Sequence, residues 1–429
     1  MHLLEIDIKN IKSTAAFHMN FHENPAGWHV LIGDNGAGKT SIIRAIALLM
    51  IGPDEASALR QVFVEWVKKD STEATIWGKI QIHENDGYAG KKALRKRPFD
   101  AYITIQKEQI DSEEAKLVRS PNVEAADYIW SGKRGWFSAS FGPFRRFSGG
   151  NDAWSKVYYA NPRAAAHLSA FGEDVALTES LEWLSKLKFA SLENDPKATQ
   201  ILSSLQHLLN EGDLLPQGVK LSGITSKGVT FKDGNNTEID IKQMSDGFRS
   251  LLSLIFELIW QLTRCYGEQA VFENINKGIF NIPLPGVVII DEIDAHLHPT
   301  WQTRVGQWFT KYFPDIQFIV TTHSPLVCRG CTDDEGNSKG TIWRLATPGS
   351  DQVSGEITGD EKQRLTIGNV LDAYATEAFG ANTSQSKAGI KMGEEIAALS
   401  LKSFKGIITD DEKKRLSTLK SQLPTAAAL

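Results

Sequence analysis

Residues 33–40 read Gly-Asp-Asn-Gly-Ala-Gly-Lys-Thr, a G-x4-GK[ST] turn set between an apolar run at 28–32 and a helical apolar pattern, Ile42, Ile43, Ala45, Ile46, Leu48 and Leu49. A strand that enters a glycine-rich turn and leaves as a helix restricts the fold more than any other feature here. It demands an α/β sheet whose strand ends carry a phosphate site. The glycines let backbone N–H groups converge on phosphate oxygens, and the helix start adds its positive dipole end. Lys39 is expected to contact the β and γ phosphates of a nucleotide and Thr40 to ligate Mg²⁺. Asn35, Gly36, Gly38 and Ser41 complete the expected cradle.

A second feature is Val287-Val288-Ile289-Ile290-Asp291-Glu292, a continuous apolar run that ends in two carboxylates, as a buried parallel strand would. Ligands of an open α/β sheet sit at the carboxyl ends of its strands. Asp291 is therefore expected in the Mg²⁺ shell, and Glu292 is the candidate general base that polarises the attacking water. Together with the loop at 33–40 the pair implies nucleotide hydrolysis, not binding alone. Two further elements follow the same plan. Ser245-Asp246-Gly247 stands directly before an amphipathic helix that runs to about Tyr266, and His323 closes the apolar strand QFIVTTH at 317–323. Taken alone, a serine at a helix start is an N-cap.

The order of these four elements resembles that of ATP-binding-cassette ATPases, in which two heads sandwich two ATP molecules. The details are similar to the branch of SMC, RecF and OLD proteins: Gly-x-Asn-Gly-x-Gly-Lys-Thr at 33–40, Asn10-Ile11-Lys12-Ser13 near the first strand, Asp-Glu-x-Asp-x-His-Leu-His-Pro at 291–299, and Thr322-His323-Ser324-Pro325. The resemblance covers about residues 1–345. It implies that Ser245 and Gly247 touch the γ-phosphate bound to the opposite subunit, that His323 senses that phosphate from its own side, that Asp294 crosses the dimer interface, and that Lys12 belongs with the nucleotide. The chain departs from the family pattern at the Q-loop, for which Gln61, in a helix-like context, is the available match.

The rest of the chain organises around this head. Residues from about 60 to 150 read as an antiparallel β lobe inserted into the α/β core, with runs at 74–82 and 101–106. Leu181, Leu184 and Leu187, then Ile201, Leu202, Leu205, Leu208 and Leu209, are spaced as a short helical pair. The expected fold is an α/β, ABC-type P-loop NTPase head with a mixed central sheet, an antiparallel β lobe, a helical insertion and a C-terminal helical tail. Its boundaries are 1–160, 161–217, 218–345 and 346–429. Between Lys39 and Ser245 lie too few residues for SMC-type coiled-coil arms. Thr358-x-x-Glu361 and Thr409-x-x-Glu412 each suit a capping box, and this shared grammar accounts for the likeness of the stretches at 355 and 406.

Composition sets limits. The net charge of −5 excludes a positive coat over the whole surface, so nucleic-acid contact would need a local patch. Lys91, Lys92, Arg95, Lys96 and Arg97 form one candidate, equally readable as a solvated turn. Phe144-Arg145-Arg146-Phe147 reads as packing with snorkelled charges ahead of a phosphate contact. Cys328 and Cys331 have half of a zinc spacing and no second pair, and three cysteines in all suit a reducing compartment. His296 and His298 read as structural or interface residues. The first ten residues lack a signal-peptide profile, and the longest apolar stretch, 251–262, is too short for a bilayer crossing. A cytoplasmic location with no membrane contact is expected.

With about 100 residues after His323 and no Toprim pattern among them, a nuclease would be a separate chain. The layout is most similar to the ATPase subunits of bacterial antiphage systems of the Septu type, which work with an HNH nuclease; the PARIS ATPase is a relative. The resemblance implies ATP and Mg²⁺ as ligands, a homo-oligomer of head-to-tail pairs, a nuclease partner, and a DNA or phage-derived trigger. Two other readings stand beside it: a RecF-like DNA-binding ATPase of repair, and a scaffold that holds ATP with little turnover.

Overall fold

The computed structural model describes the chain except residues 23–24, 87–96, 120–122, 131–134, 148–153, 155–159, 174, 212–214, 216–217, 226–227, 348, 350–351, 375, 377–386 and 423–429. It divides into two compact units, Met1–Ile367 and Gly368–Leu429. Strands in chain order are β1 (His2–Ile11), β2 (Thr14–Asn20), β3 (Gly27–Ile32), β4 (Glu73–Gln81), β5 (Phe99–Gln106), β6 (Lys116–Arg119) and β7 (Ser138–Phe141). They continue with β8 (Lys220–Thr225), β9 (Gly228–Lys232), β10 (Glu238–Asp240), β11 (Gly286–Ile290), β12 (Ile316–Thr322), β13 (Ile342–Arg344) and β14 (Gly355–Ile357).

The sheet that carries the strand ends of interest has the order β14-β13-β3-β12-β11-β7. All its pairings are parallel except β13 with β14, so it is mixed, as expected from the sequence. Every residue of β3, β11 and β12 is buried, which is why these segments read as unbroken apolar runs and not as alternating ones.

The second sheet is antiparallel, β2-β1-β4-β5-β6. Here the structure differs from the sequence reading in two places. The lobe is not wholly an insertion, because its strand β1 is the first of the chain and pairs with both β2 and β4. Conversely β7, inside the 60–150 stretch, leaves the lobe and joins β11 in the parallel sheet. Both reversals have one cause: periodicity reports which faces a strand buries, and is silent about which sheet buries them.

The helix Lys39–Ile51 joins the two sheets. It touches β1, β4 and β5 on one side and β7, β11 and β12 on the other. A helix covered on both sides has no solvent face, and accordingly Ile42, Ile43 and the whole run from Ala45 to Ile51 are buried. The helices Glu179–Leu192 and Pro196–Glu211 form the expected pair, and Trp183 stacks on Trp260 of the helix Asp246–Tyr266 with ring centroids 5.2 Å apart.

In the C-terminal unit the helices Lys387–Phe404 and Asp410–Gln422 bury Ile396, Leu399, Leu416 and Leu419 against each other. Their connection contains the expected capping box: Thr409 N donates to Glu412 Oε2 at 3.0 Å and Glu412 N to Thr409 Oγ1 at 3.3 Å. The parallel box at Thr358 does not form. Thr358 makes no side-chain cap, and Glu361 lies 3.8 Å from Arg344 instead. The helix Gly359–Thr366 belongs with the first unit, which runs past the boundary at 345 to Ile367.

Candidate nucleotide site

Strand register brings three chain segments to one edge. Thr322 of β12 is level with Ile32 of β3, and Val320 is level with Ile290 of β11. The residues that follow, Gly33, His323 and the pair Asp291-Glu292, therefore leave the sheet side by side. This is the crevice in which α/β proteins hold ligands.

In the loop after β3, Gly36 and Gly38 adopt φ of 79° and 97°. Backbone with positive φ is open to glycine and strained for other residues. At Gly38 a Cβ would also come within 2.8 Å of Thr14 Oγ1 at the start of β2. Lys39 is buried and donates from Nζ to Gly33 O at 2.7 Å and Asp34 O at 3.1 Å. Its pKa is lowered by burial, an effect opposed by the carboxylates of Asp291, Glu292, Asp294 and Asp34. Thr40 and Ser41 follow in the first turn, both half-buried, and Asn35 is exposed. Lys12, in left-handed backbone with φ 50°, holds its Nζ 5.7 Å from the centroid of the Trp66 ring. Burial and the nearby Arg44 lower its pKa.

The end of β11 is held from two sides. On one side Thr321 of β12 donates its hydroxyl to Asp291 Oδ1, accepts from Glu292 N at 2.7 Å, and accepts Ile293 N on its carbonyl at 3.0 Å. On the other, the guanidinium of Arg145 donates to Asp291 O at 2.9 Å and Glu292 O at 3.1 Å. Glu292 itself sits at φ 46°. A non-glycine residue in this region persists where its surroundings fix it, and such residues gather at functional sites. Arg145 is fully enclosed and its pKa is pushed down to about 10 by burial, against the field of Asp291, Asp294 and Glu292. It remains charged at neutral pH. This corrects the snorkelling expected for Arg145: the charge is inside, spread over carbonyl dipoles. Arg146 is exposed.

Asp294 takes the hydroxyl of Thr322 on Oδ1 at 2.6 Å, and His323 N approaches its two oxygens at 3.3 and 3.4 Å. Its carboxylate is thus tied within its own chain to the strand of His323, whose side chain is exposed. Ser245 occupies the N-cap position of the helix Asp246–Tyr266 with φ −61° and ψ 157°, yet its hydroxyl makes no capping bond. The position is that of an N-cap and the usual capping interaction is missing. Gly247 lies against the turn after β11, where a Cβ would come within 2.5 Å of His296 O. His298 is structural, accepting Thr300 N at the start of the helix Pro299–Gln302.

Thr40 and Asp291 are oxygen donors, one neutral and one anionic, which suits a hard cation that takes its other ligands from phosphate and water. Among the described residues no group of three or more His, Cys, Asp and Glu forms an all-protein cage. Gln61 is committed elsewhere, its Nε2 donating to Leu59 O and Phe171 O at 3.2 Å. Of the basic cluster, Lys91, Lys92, Arg95 and Lys96 lie outside the described residues.

Cys328 and Cys331 are buried free thiols, and burial raises both, Cys331 to about 12. Cys265, half-buried, is also pushed up to about 12. A thiol with a raised pKa has almost no thiolate at neutral pH. The native chain is therefore expected to react slowly with a disulfide reagent at pH 7 and to release three equivalents once unfolded. Rapid labelling of Cys328 or Cys331 before unfolding would contradict the packing described.

Comparison with known proteins places this geometry in context. The family described as AAA domain, putative AbiEii toxin, Type IV TA system, matches residues 29–329. Septu protein PtuA of Bacillus mycoides (strain KBAB4) is 25% identical over 336 residues, which are 77% of this chain and 39% of that protein. Septu protein PtuA of Bacillus thuringiensis is 24% identical over 347 residues, 77% of this chain and 74% of that protein. Retron Ec83 probable ATPase of Escherichia coli is 42% identical over 115 residues, 26% of this chain and 18% of that protein. The chain thus matches well under half of the length of the first and third of these relatives. Among solved structures, the Smc head bound to the C-winged helix domain of ScpA gives a TM-score of 0.49 at 16% identity, covering 83% of this chain and 97% of that one.

Proposed function

This chain belongs to the AAA-domain family described as putative AbiEii toxin, Type IV TA system, and from that premise we propose that it binds and hydrolyses ATP between paired heads and thereby regulates a separate effector in antiphage defence. The observation that carries the reading is the convergence, at one sheet edge, of the glycine cradle with Lys39, the doubly held Asp291-Glu292 turn, and His323. An anionic ligand is favoured by the helix start and Lys39, and a cluster of carboxylates next to it has a use when a cation and a water must be held there.

Lys39 and the loop N–H groups bind the triphosphate, and Lys12 adds a cation from the β1–β2 turn. Thr40 and Asp291 would hold Mg²⁺, which supplies charge neutralisation on the phosphates. Glu292 takes the proton of the attacking water, and His323, exposed at the end of β12, meets the γ-phosphate. Asp294 links the two, since the same carboxylate that follows the Glu292 turn holds the backbone of His323. Ser245 and Gly247 act on the nucleotide of a second copy. In trans phosphate contacts in other NTPases change rates by ~10³ to 10⁵, enough for pairing to serve as a switch.

The similarity to Septu PtuA proteins over 77% of the chain supports a place in defence; the partner proposed is a separate nuclease of HNH type and the trigger proposed is DNA or a phage product. No helix among the described residues is long and apolar enough to cross a membrane. The test is direct: the full chain should release phosphate from Mg²⁺·ATP, and its mass by light scattering should roughly double when nucleotide is added. Absence of both phosphate release and nucleotide-dependent pairing would reject the reading.

A further inference from the structure

Arg145 follows β7 and reaches two places at once. Its Nη1 donates to Gly142 O and Asp291 O, both at 2.9 Å, and its Nη2 to Glu292 O at 3.1 Å and Ile293 O at 3.5 Å. Its Nε donates to Ser250 Oγ at 3.1 Å. A guanidinium carries five N–H groups in a rigid planar fork, and here each has an acceptor. None of those acceptors is a carboxylate; four are carbonyls and one is a hydroxyl. The group is therefore built to fix backbone, and lysine, with three rotatable donors, could reproduce only part of it.

We propose that Arg145 is a positioning residue that fixes the Glu292 turn and, through Ser250, ties it to the helix that begins at Ser245. This deepens the proposed function and rests on it. Both backbone groups of Glu292 are held, the N–H by Thr321 and the C=O by Arg145, and between them they maintain the left-handed conformation that aims the carboxylate. Ser250 lies three residues beyond Gly247, one helical turn along, and Gly247 packs on His296 O of the same turn. The helix therefore bears on the segment 291–297 at two points. In a head-to-tail pair that helix faces the partner's nucleotide while Glu292 faces its own, so Arg145 connects the two nucleotides through one chain. A shift of the helix start on engaging a phosphate would be felt at Glu292 O.

The experiment is a double-mutant cycle on the full chain with Mg²⁺·ATP turnover as readout. Arg145→Gln should lower kcat by ~10- to 10²-fold with KM changed less than about twofold, because binding groups are untouched. Arg145→Lys should recover part of the loss. In the Glu292→Gln background, Arg145→Gln should add little, within about a factor of two, because its effect passes through the carboxylate already removed. Ser250→Ala breaks only the Nε contact and should lower kcat at unchanged KM, with a fall of a few degrees in melting temperature from the N–H left unpaired; it keeps the test alive if Arg145→Gln fails to fold. Multiplicative losses in the double variant, a loss that appears in KM, or wild-type kcat in both Arg145→Lys and Ser250→Ala would overturn the proposal. Glu292→Gln alone reports on the general base, and the Arg145 and Ser250 variants in the wild-type background report on the strut, so failure of one reading is not mistaken for failure of the other.

Discussion

Glu292→Gln should slow ATP turnover by ~10² to 10⁴-fold, the range for a lost general base, while the chain retains its nucleotide. The substitution keeps size and shape while it removes the charge and the ability to take a proton. It leaves both backbone anchors of residue 292 in place, since Thr321 and Arg145 bond to its main chain. It also removes one of the carboxylates whose field reaches Lys39, which leaves the site less negative and, if anything, more hospitable to a triphosphate. Binding and turnover should therefore separate: retained ATP after gel filtration, with phosphate release reduced to a small residue of the wild-type rate. On the proposed function, in which hydrolysis ends pairing, the same variant should accumulate in the paired form. Wild-type turnover in Glu292→Gln would remove Glu292 from the role of base, and loss of binding would mean that its charge is structural.

What could be read from the sequence follows from which interactions are local. β3, β11 and β12 are legible because a strand buried on both faces is mostly apolar, its few polar members such as His29 and Gln317 being hydrogen-bonded, and the carboxylates that end β11 are legible because they directly follow such a run. The assignment of β1 and β7 to their sheets was not legible, because alternation and burial describe a strand without naming its neighbour. Arg145 was misread for a similar reason. Its acceptors are backbone carbonyls at 142, 291, 292 and 293 and one serine at 250, and carbonyls leave no mark in a sequence. The hydroxyls of Thr321 and Thr322 hold Asp291 and Asp294, a role that the run QFIVTTH does not announce. A pair of threonines at the end of a buried strand is the one signal that could have found them, since a buried hydroxyl needs a partner. The converse holds for the capping boxes: identical grammar at Thr358 and Thr409 closes only at Thr409, where Glu412 serves the box through Oε2 while Oε1 meets Lys402, whereas Glu361 lies toward Arg344 and Thr358 makes no side-chain cap.

Mixing two inactive variants should restore activity. If each site takes Lys39 from one copy and Ser245 from another, Lys39→Ala disables the cradle of its own chain and Ser245→Arg disables the helix tip offered to the partner. A pair made of two identical variants then has no intact site, and turnover should fall by ~10² or more for either protein alone. Ser245 is exposed and its hydroxyl makes no capping bond, so arginine there costs the fold little beyond an unfavourable meeting with the helix dipole, under about 1 kcal/mol. In a mixed pair the defects fall together on one site, and the other site combines the unaltered Lys39 of the Ser245→Arg chain with the unaltered Ser245 of the Lys39→Ala chain. Random exchange makes half of the pairs mixed, each with one working site of two, so recovery should approach roughly a quarter of the wild-type rate at equal stoichiometry. The recovered rate should vanish on dilution below the pairing concentration, as a property of two chains must. Should the mixture stay as inactive as its parts under conditions where labelled subunits are seen to exchange, the serine would serve its own chain's nucleotide or none, and regulation by pairing would have no structural basis.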